Sequence, residues 1–129
     1  MKVKIEIFNN LDKIARLHRI TDEDWAKSAK IRRPSISELR RLYLDRQAER
    51  SIGRACTIEK IGLLFIGLYN ILGGDVLKKE MMSVINNETN QDVRMMMLSL
   101  LLRNAPKETK DAIEGSMKMA IQTITKKNN

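Results

Sequence analysis

The segment 21–42, TDEDWAKSAKIRRPSISELRRL, constrains the fold of this chain more than any other part of the sequence. It opens with Thr21, a residue type that caps helices, and acidic residues follow where a helix N-terminus favours negative charge. Apolar residues then recur at helical spacing on both sides of Lys30. The segment therefore predicts two short helices joined by a tight turn.

The second of these helices has a polar and basic face. Ile36 and Leu39 are spaced to be buried. The residues on the opposite face are Arg33, Pro34, Ser37, Glu38 and Arg41. A short basic helix that is supported by a second helix fits the major groove of duplex DNA. The pattern therefore indicates a DNA-binding surface.

At these residues the chain resembles the helix-turn-helix of the lambda-repressor/Cro-like (XRE-type) transcription regulators. The residues that match the family pattern without a gap are Thr21, Ala26, Ala29, Ile31, Ile36, Ser37 and Leu39, with Trp25 where Leu is usual. Residues 57–73 resemble a later helix of the same family. The resemblance implies an all-α fold with a lambda-repressor-like helix-turn-helix domain at residues 1–75 and a helical C-terminal segment at residues 76–129.

The resemblance also implies a function and a set of contacts. The chain is expected to be a sequence-specific transcriptional regulator, a homodimeric repressor that reads the major groove of double-stranded DNA with the helix starting near Arg32. The residues expected to contact bases are Arg33, Pro34, Ser37 and Glu38. The residues expected to contact phosphates are Thr21, Arg32, Ser35, Arg40, Arg41, Arg46, Arg50 and Arg54. The alternative for Arg46, Arg50 and Arg54 is that they are ordinary solvated side chains.

Several positions depart from the family pattern. Lys30 stands where Gly is preferred for a left-handed backbone, and a non-Gly residue there costs on the order of 1 kcal/mol. Many members carry an Arg–Glu pair between the first helix and the recognition helix, but the matching residues here are Ala15 and Arg40. We therefore expect no such pair and infer that Arg40 is free to meet phosphate. Asp22 stands where relatives often have a Gln that touches the DNA backbone, and its carboxylate would repel phosphate.

The charge distribution supports an anionic partner. Residues 1–60 hold 15 Lys and Arg against 9 Asp and Glu, whereas residues 61–129 hold 9 against 7. The excess is concentrated at residues 30–54, with 8 basic and 3 acidic residues. A solvated basic face without a ligand would produce the same charge, but the helical pattern at the same place favours DNA.

The rest of the sequence predicts further helices. Val3, Ile5 and Ile7 alternate with charged residues, which allows either a short strand or the beginning of a first helix. We favour a first helix at about 10–19. The other helices are expected at 22–29, 33–46 or beyond, 57–73, 76–85, 90–103 and 107–125.

The C-terminal half is rich in methionine. It contains seven of the eight methionines, and the run MMMLSLLL is apolar around most of a helix. Because methionine is adaptable packing material, this half suits dimerisation or a protein partner, although core packing within one chain is an equal alternative.

The composition argues against several classes of protein. With one histidine and one cysteine, Cys56, the chain cannot form an intrachain disulfide or a zinc site made of Cys and His ligands, and its pattern indicates no His-based catalytic triad. We therefore expect no enzyme activity, no cofactor and no metal. The longest nearly apolar run, residues 61–72, is shorter than the roughly 20 residues that span a bilayer. Without a secretion signal at its N-terminus, the chain is expected to be cytoplasmic, away from membranes.

A second function fits the same sequence. It is a protein-interaction module, of the antitoxin or anti-repressor type, that docks through the methionine-rich half on a helix-turn-helix scaffold. Asp22 and Lys30, which are unusual for DNA binders of this family, favour it slightly. A single-strand or RNA binder is a third interpretation, but the few aromatic residues look buried rather than available for stacking.

Overall fold

The computed structural model describes residues 2–45 and 55–104. These residues form helices and contain no strand. The helices are α1 (Lys2–Leu17), α2 (Asp22–Ala29), α3 (Arg33–Leu44), α4 (Ile58–Leu72), α5 (Gly74–Asn87) and α6 (Gln91–Asn104). The predicted all-α class is therefore confirmed for the described residues. The predicted helix at 107–125 lies outside them.

The first helix begins earlier than predicted. α1 starts at Lys2 rather than near Asn10, so the strand alternative for the N-terminus is also wrong. The period of two misled the prediction because this helix is buried on more than one side. Ile5, Ile7 and Phe8 are all less than 5% exposed, so no simple amphipathic stripe is visible there.

The second helix has the predicted bounds and caps. The Thr21 hydroxyl accepts a hydrogen bond from the Asp24 amide at 3.1 Å, which satisfies one of the unpaired donors of the first turn. At the other end, Lys30 adopts the left-handed conformation, with φ 58° and ψ 40°. The amides of Lys30 and Ile31 donate back to Lys27 and Ala26, which is the Schellman arrangement.

The third helix begins directly after this turn. Arg32 precedes it in an extended conformation and Pro34 lies in its first turn, where an amide proton is not needed. Ile36, Leu39 and Leu42 are fully buried on one face. These residues hold α3 against α1 and α2.

A close crossing of α2 over α4 anchors this part of the fold. A Cβ built on Gly67 would lie 2.9 Å from the backbone nitrogen of Ala29, so glycine is what allows the two helices to approach. The Ser28 hydroxyl donates to the Gly67 carbonyl, and the Trp25 indole donates to the Leu64 carbonyl, both at 2.9 Å. Crossings of this kind fix the position of α2, and therefore of the turn that follows it.

The last two described helices join the same core. Leu77, Met81, Met97 and Leu101 are buried in one continuous cluster with residues of α1 and α4. The core therefore runs across the predicted boundary at residues 75–76. One side of α6 is buried against the N-terminal helices. No helix within residues 2–45 and 55–104 is long and apolar enough to cross a bilayer.

Candidate nucleic-acid interface

The polar face of α3 is open to solvent. No other described helix packs closely on it, because α3 is in contact mainly with α1 and α2 on its buried side. Ser35 is half-buried at its edge. The exposed residues of this face are Arg32, Arg33, Pro34, Ser37, Glu38 and Arg41. The structure thus presents together all four of the residues that were predicted to contact bases.

Three cations of this face have no ion-pair partner within residues 2–45 and 55–104. Arg32, Arg33 and Arg41 form no ion pair with any residue that the structure describes. Unpaired guanidinium groups on a solvated helix remain available for phosphate oxygens or for the acceptor edge of guanine. We define these three arginines with Ser37 and Glu38 as the α3 basic face.

Arg40 was predicted to contact phosphate, but the structure places it in an internal ion-pair cluster. Its guanidinium group is occupied by two carboxylates within the protein. Nε and Nη2 donate to Asp12 of α1 at 3.1 and 2.9 Å, and Nη1 and Nη2 donate to Asp22 of α2 at 3.0 and 2.9 Å. Arg40 thus fastens α3 to both of its supporting helices instead of reaching outward.

Ala15 forms no ion pair with Arg40, as predicted, but a different residue of α1 does. The acid is Asp12, one helical turn before Ala15, and the base is Arg40 on α3. Asp12 is only 1% exposed and is also paired with Arg16 at 3.1 Å. Sequence reasoning missed Asp12 because an aspartate within a helix is normally solvated.

The Asp22 carboxylate at the start of α2 is paired with Arg40. The side-chain hydrogen bonds from Arg40 hold the pKa of the Asp22 carboxyl below its ordinary value. The charges of Arg33 and Arg16 lower it further. With two acids and two bases, the cluster Asp12, Asp22, Arg16 and Arg40 is balanced, so it does not cancel the charge of the α3 basic face.

The remaining predicted phosphate contacts differ in their positions. Thr21 is exposed, but its oxygen already caps α2. Arg46, Arg50 and Arg54 lie outside the described residues. The described part of the predicted set therefore reduces to Thr21, Arg32, Ser35 and Arg41.

Two findings on the described residues concern metal binding and thiol chemistry. They contain no group of three or more His, Cys, Asp or Glu side chains arranged to hold a metal ion. Cys56 is fully buried, and desolvation raises the pKa of its thiol to about 11. Such a thiol is protonated at neutral pH, so it is a poor nucleophile.

Comparison with known proteins gives no relative: no protein-family model, no curated protein and no solved structure matches this chain. What the α3 basic face binds is therefore inferred from its own residues.

Proposed function

We propose that this protein is a sequence-specific DNA-binding transcriptional regulator, a dimeric repressor with a helix-turn-helix of the lambda-repressor-like type. The observation that carries the proposal is the α3 basic face. Its arginines are exposed and unpaired among the described residues, while the opposite side of the same helix is fixed in the core. A cationic helix with this placement suits the major groove.

The way α3 is held supports base reading rather than loose electrostatic attraction. Its apolar face is buried, its start is fixed by the turn at Lys30, and Arg40 ties its C-terminal half to α1 and α2. A rigid support keeps side chains in the geometry that hydrogen bonds to base edges require.

In this proposal the residues of the face have different roles. Arg33, in the first turn of α3, pairs with guanine O6 and N7, and Glu38 accepts from cytosine N4. Each such pair gives about 1–3 kcal/mol of discrimination. Arg32 and Arg41 bind phosphates and set the orientation of the helix. Two copies related by a two-fold axis would place their recognition helices about 34 Å apart, so the preferred site is a near-palindrome.

The features that favoured a protein-interaction module have structural explanations. Asp22 is hydrogen-bonded to Arg40, and Lys30 adopts the left-handed conformation that the turn requires. Neither feature now argues against DNA binding.

Selection of bound duplexes from a random pool by the full chain tests the proposal. We expect a two-fold symmetric site. Four phosphates neutralised by Arg32 and Arg41 of a dimer give a slope of log K against log salt of about −3.6, and further contacts steepen it. If no duplex is preferred and the affinity for DNA does not change with salt concentration, the proposal is refuted.

A further inference from the structure

The outer side of α6 is a second exposed surface, distant in sequence from the α3 basic face. Val93, Met97 and Leu101 bury the inner side of this helix. On the outer side Met95 remains 46% exposed, next to half-buried Met96. The residues of this outer stripe are Asp92, Met95, Met96, Ser99, Leu100 and Arg103.

An apolar groove lies beside this stripe. Ile58, at the start of α4, is 51% exposed and faces the same groove as Met96 and Leu100. Ile7 and Ile61 form its floor, and Arg103 and Ser99 stand at its edge. An exposed groove of this composition is suited to receive an apolar side chain such as methionine.

We infer that the outer stripe of α6 binds the same stripe of a second copy of this chain, in an antiparallel two-fold pair. The inference deepens the proposed function and rests on it for the expectation of a dimer. The surface itself is defined by the residues of α6 and by the groove.

The charges of the stripe favour a second copy as the occupant. Asp92 is in the first turn of α6 and Arg103 is in the last. Neither forms an ion pair with any residue in the described ranges. When two copies of α6 are paired antiparallel about their centres, Asp92 of each faces the partner subunit's Arg103. A two-fold axis makes both contacts at once.

The same register also matches the apolar residues. The spacing of Asp92, Met96, Ser99 and Arg103 is four, three and four residues, which is the seam spacing of paired helices. Met96 then lies opposite Ser99 of the partner subunit. Met95 and Leu100 lie on the two flanks of this seam, and the two-fold axis brings each of them beside the same flank of the partner subunit. A large residue beside a small one allows close approach, and Met96 with Leu100 places the seam beside the groove at Ile58.

Sedimentation equilibrium of the full chain without DNA tests this inference. We expect the wild-type chain to dimerise. Reversal of one charge, Asp92→Arg or Arg103→Asp, places two like-charge pairs in the dimer and should weaken dimerisation at least about tenfold. The double variant Asp92→Arg/Arg103→Asp restores opposite charges and should recover the dimer to within about threefold of the wild type. Lys79→Glu, an exposed reversal on α5, is the control and should have no effect.

The double variant is a stringent test because its substitutions destabilise α6 itself. It places a base at the N-terminus and an acid at the C-terminus of the helix, both against the helix dipole. Recovery of the dimer despite a less stable helix can come only from the paired charges. Circular dichroism verifies that each variant is folded.

An apolar substitution gives a second readout. Met95→Glu should abolish the dimer without disturbing the core, because Met95 is already exposed in one copy. Val76→Glu, which replaces a 40% exposed apolar residue on α5, is the matched control. A monomeric wild type, as expected if residues 105–129 of the same chain cover the groove, would overturn the inference. A dimerisation constant that these substitutions leave unchanged would also overturn it. A dimer with these responses but without DNA binding would leave the inference standing and refute the proposed function alone.

Discussion

Arg40 and Asp12 meet side-on, with Nε donating to Oδ2 at 3.1 Å and Nη2 donating to Oδ1 at 2.9 Å. The geometry is the bidentate form of the Arg–carboxylate pair, which fixes orientation as well as distance. Because Asp12 belongs to α1 and Arg40 to α3, the pair sets how far α3 can move relative to the core. The second carboxylate, Asp22, extends the same restraint to α2.

Removal of Arg40 should destabilise the fold. Arg40→Ala leaves the buried Asp12 carboxylate with Arg16 alone, and we expect a loss of about 2–4 kcal/mol in the free energy of unfolding. Urea denaturation followed by the fluorescence of Trp25, the one tryptophan of the sequence, measures it.

Arg41→Ala is the matched control for Arg40. Arg41 is adjacent in sequence but exposed and unpaired among the described residues, so its replacement should change stability by less than about 0.5 kcal/mol. On DNA, Arg41→Ala should lower affinity for all duplexes and make the salt slope shallower. A destabilised Arg41→Ala, or an unchanged Arg40→Ala, would contradict these roles.

Gly67 and Gly62 should respond in opposite directions to alanine. Gly67→Ala forces a methyl group against the Ala29 backbone, and we expect a destabilisation of about 1–3 kcal/mol. Gly62 is on the same helix but has nothing within 4 Å of an added Cβ. Gly62→Ala should stabilise the protein by up to about 1 kcal/mol through helix propensity. Equal effects of the two variants would show that the helices do not cross closely at Gly67.

Because Lys30 has a left-handed backbone, its replacement by glycine should stabilise the folded protein. Lys30→Gly removes the strain of a side chain at φ 58° and should raise the free energy of unfolding by about 0.5–1 kcal/mol. Lys27→Gly, inside α2, should lower it by a similar amount because glycine is unfavourable within a helix. Thermal denaturation of both variants verifies the prediction. A loss of stability in Lys30→Gly would contradict the turn geometry.

Asp22 should contribute to stability in a pH-dependent way. Hydrogen bonds from Arg40 lower the pKa of this carboxyl in the folded protein, below its value of about 3.8 in the unfolded chain. Its contribution is therefore fully present above about pH 4 and is lost as the pH falls through the lower, folded value. The difference in unfolding free energy between the wild type and Asp22→Asn should shrink on acidification.

The Arg40→Met background provides the control for this pH effect. The pH-dependent effect of Asp22→Asn should be clearly smaller there, because the main cause of the lowered pKa is gone and only the charges of Arg33 and Arg16 remain. An undiminished difference in that background would show that Arg40 is not the main cause.

The elements that were predictable are those with local signals. The bounds of α2 follow from the Thr21 cap, the acids after it and the turn at Lys30. Thr57, whose hydroxyl accepts from the Lys60 amide at 3.1 Å, marks the start of α4 in the same way. The exposed face of α3 was predictable because Ile36 and Leu39 fix which side is buried. Caps and apolar spacing act over one or two turns and can be read directly from the chain.

The relationships that were missed depend on helices far apart in sequence. Arg40 looked free because its expected partner position holds Ala15, but Asp12 approaches from one turn earlier. The crossing at Gly67 has only a weak signal, a glycine within an apolar helix. The start of α1 was missed because residues buried on several sides show no helical period. Each of these needs the three-dimensional register of the helices, which no local pattern contains.

The central claim is that Arg33 on the α3 basic face reads a base. The most direct test compares the affinities of the wild type and Arg33→Ala for the selected duplex and for random duplexes at one salt concentration. The control is Lys79→Ala, an exposed cation on α5. We predict that Arg33→Ala lowers affinity for the selected site by about 1–3 kcal/mol, tenfold or more, with a much smaller loss on random DNA. Equal losses on both duplexes, or none on either, would contradict it.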